Sequence, residues 1–358
     1  MNILFTTHQG ELAGATFSIF YLARGLAEKG HNVHVVCRRD VLLWKKLETE
    51  PNVTLHNLKI SHYLDFHFCF RLKEIIRKNN ITILNAQGGK DRNLVILAKW
   101  LFGLSCKIVF TRRQRPRDEP WIKRWFHTRG TSKIVMISNG LKEIFIKKGY
   151  NSQHLHVIHN GVPDDLTTQL NVDKIEEIKN QLGLGDNIVI GCVSRKKSQE
   201  QLIEAFKFLP DGYAGLFVGI RENEIAQHLR NSIVHPIRFT GIVSHEEAMH
   251  YLKLMDVNVL PSYLDGFGLV LVESMLMKVP VIGSNFGGIP DIIQNGENGF
   301  LFENGHPKEL ADKILQITNN NTLKEQFVSK GLNDAKQKFS VRKMVNEYER
   351  FFESLLAK

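Results

Sequence analysis

Cysteine is scarce in this 358-residue chain. Cys37, Cys69, Cys106 and Cys192 stand far apart and no C-x-x-C pair occurs, so neither a zinc ribbon nor a redox dithiol has support. Buried free thiols in a reducing compartment are the expectation. Long apolar runs are also missing. A membrane span needs about 20 predominantly apolar residues, and the best stretch, 94–110, is interrupted by Lys99 and Lys107. The N-terminus has no basic segment and no long apolar one, so no signal peptide is read there. These absences predict a cytoplasmic protein. With 10 Pro and 27 Gly, collagen-like and low-complexity readings fall away.

Acidic residues are short in one half only. Residues 1–162 carry 26 Lys and Arg against 11 Asp and Glu, a balance of +15, which leaves −5 for residues 163–358 and +10 overall. A basic front half implies an anionic partner: nucleic acid, anionic lipid or a phosphorylated acceptor, among which charge alone does not choose.

What is present is an alternation. At roughly 150 residues per domain, the length predicts two domains. Strands are read at 2–6, 33–37, 81–85, 108–111, 133–137 and 157–159, with helical patterns between, such as 17–29, which Gly30 ends. A second series begins at 187–193 and continues at 215–219, 237–240, 257–260 and 279–283. Continuous apolar strands separated by helices mean parallel sheets covered on both faces. Turn residues and a proline cluster at His159-Asn160-Gly161-Val162-Pro163-Asp164-Asp165, so the boundary is placed near residue 163. The fold class predicted is α/β, with two doubly wound Rossmann-like domains, 1–162 and 163–340, facing a central cleft. A C-terminal helix, 341–358, returns towards the first domain. Ligands in such sheets bind beyond the C-terminal ends of the strands, so the chemistry should sit at strand-to-helix turns.

Four such turns stand out. Thr7-His8-Gln9-Gly10-Glu11-Leu12-Ala13-Gly14-Ala15 offers glycines at a helix start, where amides and the helix dipole favour an anion. It is not G-x-G-x-x-G, and a plain turn explains it as well. Ser194-Arg195-Lys196-Lys197-Ser198-Gln199 follows the first strand of the second series. Arg195 and Lys197 can clamp a diphosphate and neutralise charge on a departing phosphate. A solvated basic turn is the blander reading, and no G-x-x-x-x-G-K-[ST] loop is present. The third turn runs Pro261-Ser262-Tyr263-Leu264-Asp265-Gly266-Phe267-Gly268-Leu269-Val270-Leu271-Val272-Glu273. A helix should start near Phe267, its first amides suited to phosphate, with Glu273 about two turns inward. A carboxylate there can accept two hydroxyl hydrogen bonds, as from a ribose diol, and its apolar surroundings make an unpartnered surface role costly. The fourth, Asn285-Phe286-Gly287-Gly288-Ile289-Pro290-Asp291, is a tight turn with Pro at a helix start, read as structural first.

As a set these segments resemble the retaining glycosyltransferases of family 4, which have the GT-B fold. The residues that carry the resemblance are Ala13-Gly14-Ala15, Ile158-His159-Asn160-Gly161-Val162, Arg195 with Lys197, Asp265-Gly266-Phe267-Gly268-Leu269 with Glu273, Gly287-Gly288-Ile289-Pro290-Asp291 and Asn298-Gly299. The resemblance covers nearly the whole chain and is densest from 155 to 302. It implies that Arg195, Lys197 and Asp265 are the catalytic set. It implies that Gly14, Ala15, Gly266, Phe267, Gly268, Leu269 and Glu273 bind the donor, a nucleotide-diphosphate sugar used as co-substrate with no other cofactor. It also implies retaining transfer to a glycan or lipid-linked acceptor of a cell-envelope polysaccharide or lipopolysaccharide. No D-x-D is present, so metal-independent transfer is expected.

Two departures bear on the site. Asp265 stands where the family usually has Glu, one methylene shorter. Family members often carry a His after the fifth strand, where this chain reads Thr111-Arg112-Arg113. An arginine is no general base at neutral pH, so no catalytic His is transferred, and an anionic group of acceptor or donor is the expected contact. His8, Gln87, Arg112 and Arg113 are the acceptor-side candidates. Downstream, 118–127 places Trp121, Ile122, Trp125 and Phe126 on one helical stripe, with Lys123 and Arg124 beside it and Arg115 and Arg117 upstream. Such a helix either lies on an anionic membrane surface, peripheral to the inner face, or packs its aromatics inward. The alternatives from other classes are an epimerase of the same fold, a basic nucleic-acid-binding protein, which would need a recognition motif this chain lacks, and a non-catalytic scaffold.

Overall fold

A computed structural model describes the chain except residues 12–13, 117–119, 264 and 358, and at 168 and 169 it describes the backbone alone. Of the residues singled out above, Leu12, Ala13, Arg117, Asp118, Glu119 and Leu264 lie outside the described residues.

The chain divides into two compact units, Met1–Gly161 with Val341–Lys358, and Val162–Ser340. The first holds seven strands: β1 (Asn2–Thr6), β2 (Asn32–Cys37), β3 (Val53–Asn57), β4 (Ile83–Ala86), β5 (Lys107–Arg112), β6 (Lys133–Met136) and β7 (Leu155–Val157). Their order is β3-β2-β1-β4-β5-β6-β7, and every pair is parallel. The second holds β8 (Ile188–Val193), β9 (Tyr213–Val218), β10 (Ile237–Phe239), β11 (Val257–Leu260), β12 (Val281–Ser284) and β13 (Phe300–Phe302), ordered β10-β9-β8-β11-β12-β13 and again parallel throughout. Both are doubly wound sheets of Rossmann type, as the alternation predicted.

Two strands escape the sequence pattern. β3 is an edge strand with none of its five residues buried, and it has no continuous apolar run. β13 is an edge strand of three residues, too short to carry a period.

In a doubly wound sheet the strand order reverses at one point, and helices leaving the two strands there diverge and open a crevice. That switch point falls between β1 and β4 in the first unit and between β8 and β11 in the second. The turns after those four strands are therefore the places where each fold leaves room for a ligand. The helix Gly14–Glu28 that follows β1 ends as expected, with Gly30 at φ +83 and His31 N donating back to the Leu26 carbonyl.

The helix Val341–Leu356 belongs to the first unit. It buries Met344, Val345, Tyr348, Phe351, Phe352 and Leu355 in that core. At about 1.5–3 kcal/mol per large apolar side chain removed from water, six such residues decide where the helix docks. Gly25 permits the approach: a Cβ there would stand 2.5 Å from Val345 Cγ2. His31 Nε2 meets Glu349 Oε1 at 2.8 Å, and Tyr348 Oη meets Thr111 Oγ1 at 3.2 Å.

Candidate active site

In the second unit the turn after β8 is shaped by a buried glutamine. Gln199 is fully buried, and its Nε2 donates to Ser194 Oγ at 2.8 Å and to the Arg195 carbonyl at 2.7 Å, while its Oε1 accepts from Lys197 N at 2.6 Å. Ser198 sits at φ +65, a left-handed conformation that few non-glycine residues adopt. This geometry sends neighbouring side chains to different partners. The Lys196 ammonium pairs with Glu200 and donates to the Glu224 carbonyl. Lys197 Nζ instead reaches across the switch point to Asp265 Oδ2 at 2.6 Å. Arg195 lies in the same turn and is exposed.

The turn after β11 is pressed against the turn after β12. Gly288 N donates to the Asp265 carbonyl at 3.2 Å. A Cβ on Gly287, which has φ +64, would stand 2.2 Å from the Asp265 carbonyl oxygen, and one on Gly288 would stand 2.3 Å from that of Gly266. The paired glycines are thus the condition for holding the Asp265–Gly268 backbone in place, a closer role than the general turn read from sequence. Phe267 anchors the same loop, buried edge-on against Phe339 at 5.7 Å between ring centroids. Gly268, at φ +98, caps the helix Leu269–Leu276. Gly266, Phe267 and Gly268 therefore lead directly into the helix that Leu269 opens.

Glu273 is the fifth residue of that helix, little more than one turn in rather than two, because the helix begins at Leu269 and not at Phe267. Its side chain is 12% exposed, and Oε1 stands 2.9 Å from His245 Nε2. The remaining carboxylate oxygen has acceptor capacity for hydroxyl groups. Asn298, of the Asn-Gly segment, is buried and binds Asp334 Oδ2 at 3.0 Å and the Gln294 amide at 2.8 Å, a structural role.

The first-unit candidates separate into two groups. His8 Nδ1 stands 2.7 Å from Asp91 Oδ1, and the fully buried Asp91 also accepts from the Gly88 amide at 3.0 Å and Thr6 Oγ1 at 3.2 Å. Gln87, at the end of β4, accepts from Arg113 just past β5. Gly14 and Ala15 open the helix after β1, Gly14 exposed. Arg112 is placed elsewhere: its guanidinium lies over the Phe145 ring, 4.7 Å from the centroid, and the residue is 8% exposed. Arg112 ends β5 and Arg113 lies just beyond it, and the two side chains go to different partners. The helix Trp121–Gly130 presents Trp121 at 67%, Ile122 at 59% and Trp125 at 52% exposure, so these three do not pack inward.

Comparison with known proteins identifies the family and the fold. The family model "Glycosyl transferases group 1" matches residues 174–334, and "Glycosyltransferase Family 4" matches residues 12–166. The chain belongs to this glycosyltransferase family, and it is an enzyme. The N-acetyl-alpha-D-glucosaminyl L-malate synthase of Bacillus anthracis is 23% identical over 94% of this chain and 92% of its own length. The capsular polysaccharide biosynthesis glycosyltransferase CapM of Staphylococcus aureus is 30% identical over 62% of each chain. In three dimensions the glycosyltransferase is similar to Anabaena Alr3699/HepE, solved in complex with UDP and glucose, with a TM-score of 0.84, 20% identity, and coverage of 99% of this chain and 100% of that one. That likeness establishes the GT-B fold.

Two residues of the candidate site were missed in the sequence. Gln199 carries no motif. His245 sits between Ser244 and Glu247, a capping box that reads as a helix start only, with Ser244 Oγ accepting from Glu247 N at 3.1 Å. Its pairing with Glu273, 28 residues on, exists only once β11 and its helix are folded.

Proposed function

We propose that this enzyme moves a sugar from a nucleoside-diphosphate sugar to a glycan or lipid-linked acceptor in the synthesis of a cell-envelope polysaccharide or lipopolysaccharide, with retention at the anomeric carbon and without a metal or further cofactor. One observation carries the reading. The second unit's switch point sets a lysine–aspartate pair (Lys197, Asp265) beside a helix start and a histidine-held carboxylate (Glu273). In this reading Arg195 and Lys197 take the diphosphate, whose charge grows as the C1–O bond breaks. Preorganised donors of that kind are worth about 3–4 kcal/mol each in a transition state. The Gly266–Leu269 amides and Asp265 meet the donor sugar and phosphate, and Glu273 accepts the ribose hydroxyls. The acceptor oxygen bonds to C1 as its proton passes to the departing phosphate oxygen. The name of the Staphylococcus relative, a capsular polysaccharide biosynthesis glycosyltransferase, supports the polysaccharide acceptor class.

The exposed Trp121, Ile122 and Trp125, beside Lys123, Arg124 and Arg129, support peripheral binding to an anionic membrane face that carries the acceptor. Among the described residues no helix is long and apolar enough to cross a membrane. Liposome sedimentation tests this part, and equal binding to neutral and anionic vesicles refutes it.

The central reading is tested by isothermal calorimetry with UDP, GDP and ADP, followed by product analysis with a labelled nucleotide sugar. Binding of one nucleotide and appearance of a glycoside are expected. No binding, or a nucleotide located away from residues 195–197 and 265–273 in a crystal, overturns it.

A further inference from the structure

Among the described residues, Arg113 has hydrogen-bond partners that are all neutral. Its guanidinium donates to Gln87 Oε1 and, through Nη2, to Ser18 Oγ at 3.4 Å. Both partners are neutral, and Ser18 Oγ in turn donates to Asn160 Oδ1 at 2.7 Å. Arg113 Nε is buried and unpartnered, and so is Nε2 of Gln87, a residue only 6% exposed. Asp91, the carboxylate at the same end of the sheet, is taken up by His8, Thr6 and Gly88. The neighbouring Tyr348 hydroxyl is held neutral, its pKa raised by burial. Burial likewise lowers the pKa of Arg113. A desolvated charge with only neutral partners is disfavoured as a structural element, because its hydration is lost and not replaced. It is retained where a ligand completes it. The place is also right: β4 and β5 are adjacent, and β4 borders the switch point of the first unit.

We propose that Arg113, with the free Nε2 of Gln87, binds an oxyanion group, a carboxylate or a phosphate, on the acceptor, so that the acceptor class is anionic. An oxyanion offers acceptors to both unsatisfied donors and the charge that Gln87 and Ser18 lack, whereas a neutral hydroxyl offers only the first. The word acceptor rests on the glycosyltransferase reading above. The anion site itself does not, and the test separates them.

The full chain is titrated with L-malate, glucuronate, inorganic phosphate and, as the neutral arm, glucose. Thermal shift and calorimetry are read on the parent, Arg113→Gln, Arg113→Lys and Lys197→Ala. At least one carboxylate or phosphate should bind the parent and Lys197→Ala alike, more weakly by about 10-fold in Arg113→Lys and about 100-fold in Arg113→Gln. Glucose should bind no variant more tightly than the anions. Without ligand, Arg113→Gln should melt at or above the parent, since a burdensome charge is gone. A structural arginine would give the opposite result. An anion response unchanged in Arg113→Gln, the absence of any anion response, or a clear loss of melting temperature in the unliganded variant overturns the proposal. Anion binding through Arg113 with no sugar transfer from any labelled donor would leave this site standing and sink the transferase substrate reading instead.

Discussion

Gly288→Ala is the most informative perturbation outside the charged groups. The added Cβ would lie 2.3 Å from the Gly266 carbonyl oxygen, 2.7 Å from Phe267 Cα and 2.8 Å from the Gly266 carbonyl carbon. Ordinary carbon contacts begin near 3.5 Å, so the two loops must part by about an ångström. Neither loop is free to yield. The first is anchored by buried Phe267 and the left-handed cap Gly268, the second by Ile289, which is fully buried. Overpacking of this kind costs about 1–3 kcal/mol, which leaves a folded protein with a melting temperature several degrees lower. The larger effect falls on turnover, because the displaced segment is the helix start proposed to meet the donor. A misplacement of about 1 Å in a positioning element costs on the order of 10²-fold. Urea denaturation and transfer of a labelled sugar, measured on the same preparation, give the two numbers. Parental turnover in a variant destabilised by 1–3 kcal/mol would refute the assignment of the 265–268 segment to the donor. Parental stability would refute the contact geometry itself.

Lys197→Ala should lower kcat by about 10²–10³ while changing stability by less than about 1 kcal/mol, since the Lys197–Asp265 pair is partly exposed; steady-state kinetics and a thermal melt separate the two. Glu273→Ala should weaken nucleoside diphosphate binding by about 10–100-fold, the worth of a hydrogen bond to a charged group, and calorimetry that returns the parental affinity would remove Glu273 from the donor site. Stability should fall as pH is lowered from about 6.5 towards 4. Burial pushes both His56 and His154 down to about 4, so across that window the unfolded chain takes up protons that the folded chain refuses. Urea midpoints at pH 7.5 and pH 5 check the sign, and a higher midpoint at pH 5 would contradict it.

Much of the site was legible because strand ends announce themselves. An apolar run that stops at Leu260 and resumes as a helix, read near Phe267, puts Asp265 and Gly266 in the loop between them, whatever the packing; the structure starts that helix two residues later, at Leu269. The same holds for Arg195–Lys197 after Val193. The partners were not legible. Lys196 and Lys197 are chemically alike in sequence, and the local conformation at Ser198 and Gln199 decides which one reaches Asp265. Arg112 and Arg113 differ by one position, yet one covers Phe145 and the other joins Gln87.

Local patterning, then, determined the α/β class, the parallel sheets and the turns where ligand chemistry sits, because period and turn chemistry are properties of short segments. Tertiary structure alone decided the pairing of His245 with Glu273, the abutment of Gly287-Gly288 on Asp265-Gly266, and the neutral partners of Arg113. Each of these joins residues that are distant in the chain, and no local energy term couples such residues until the sheet order has brought their strand ends together.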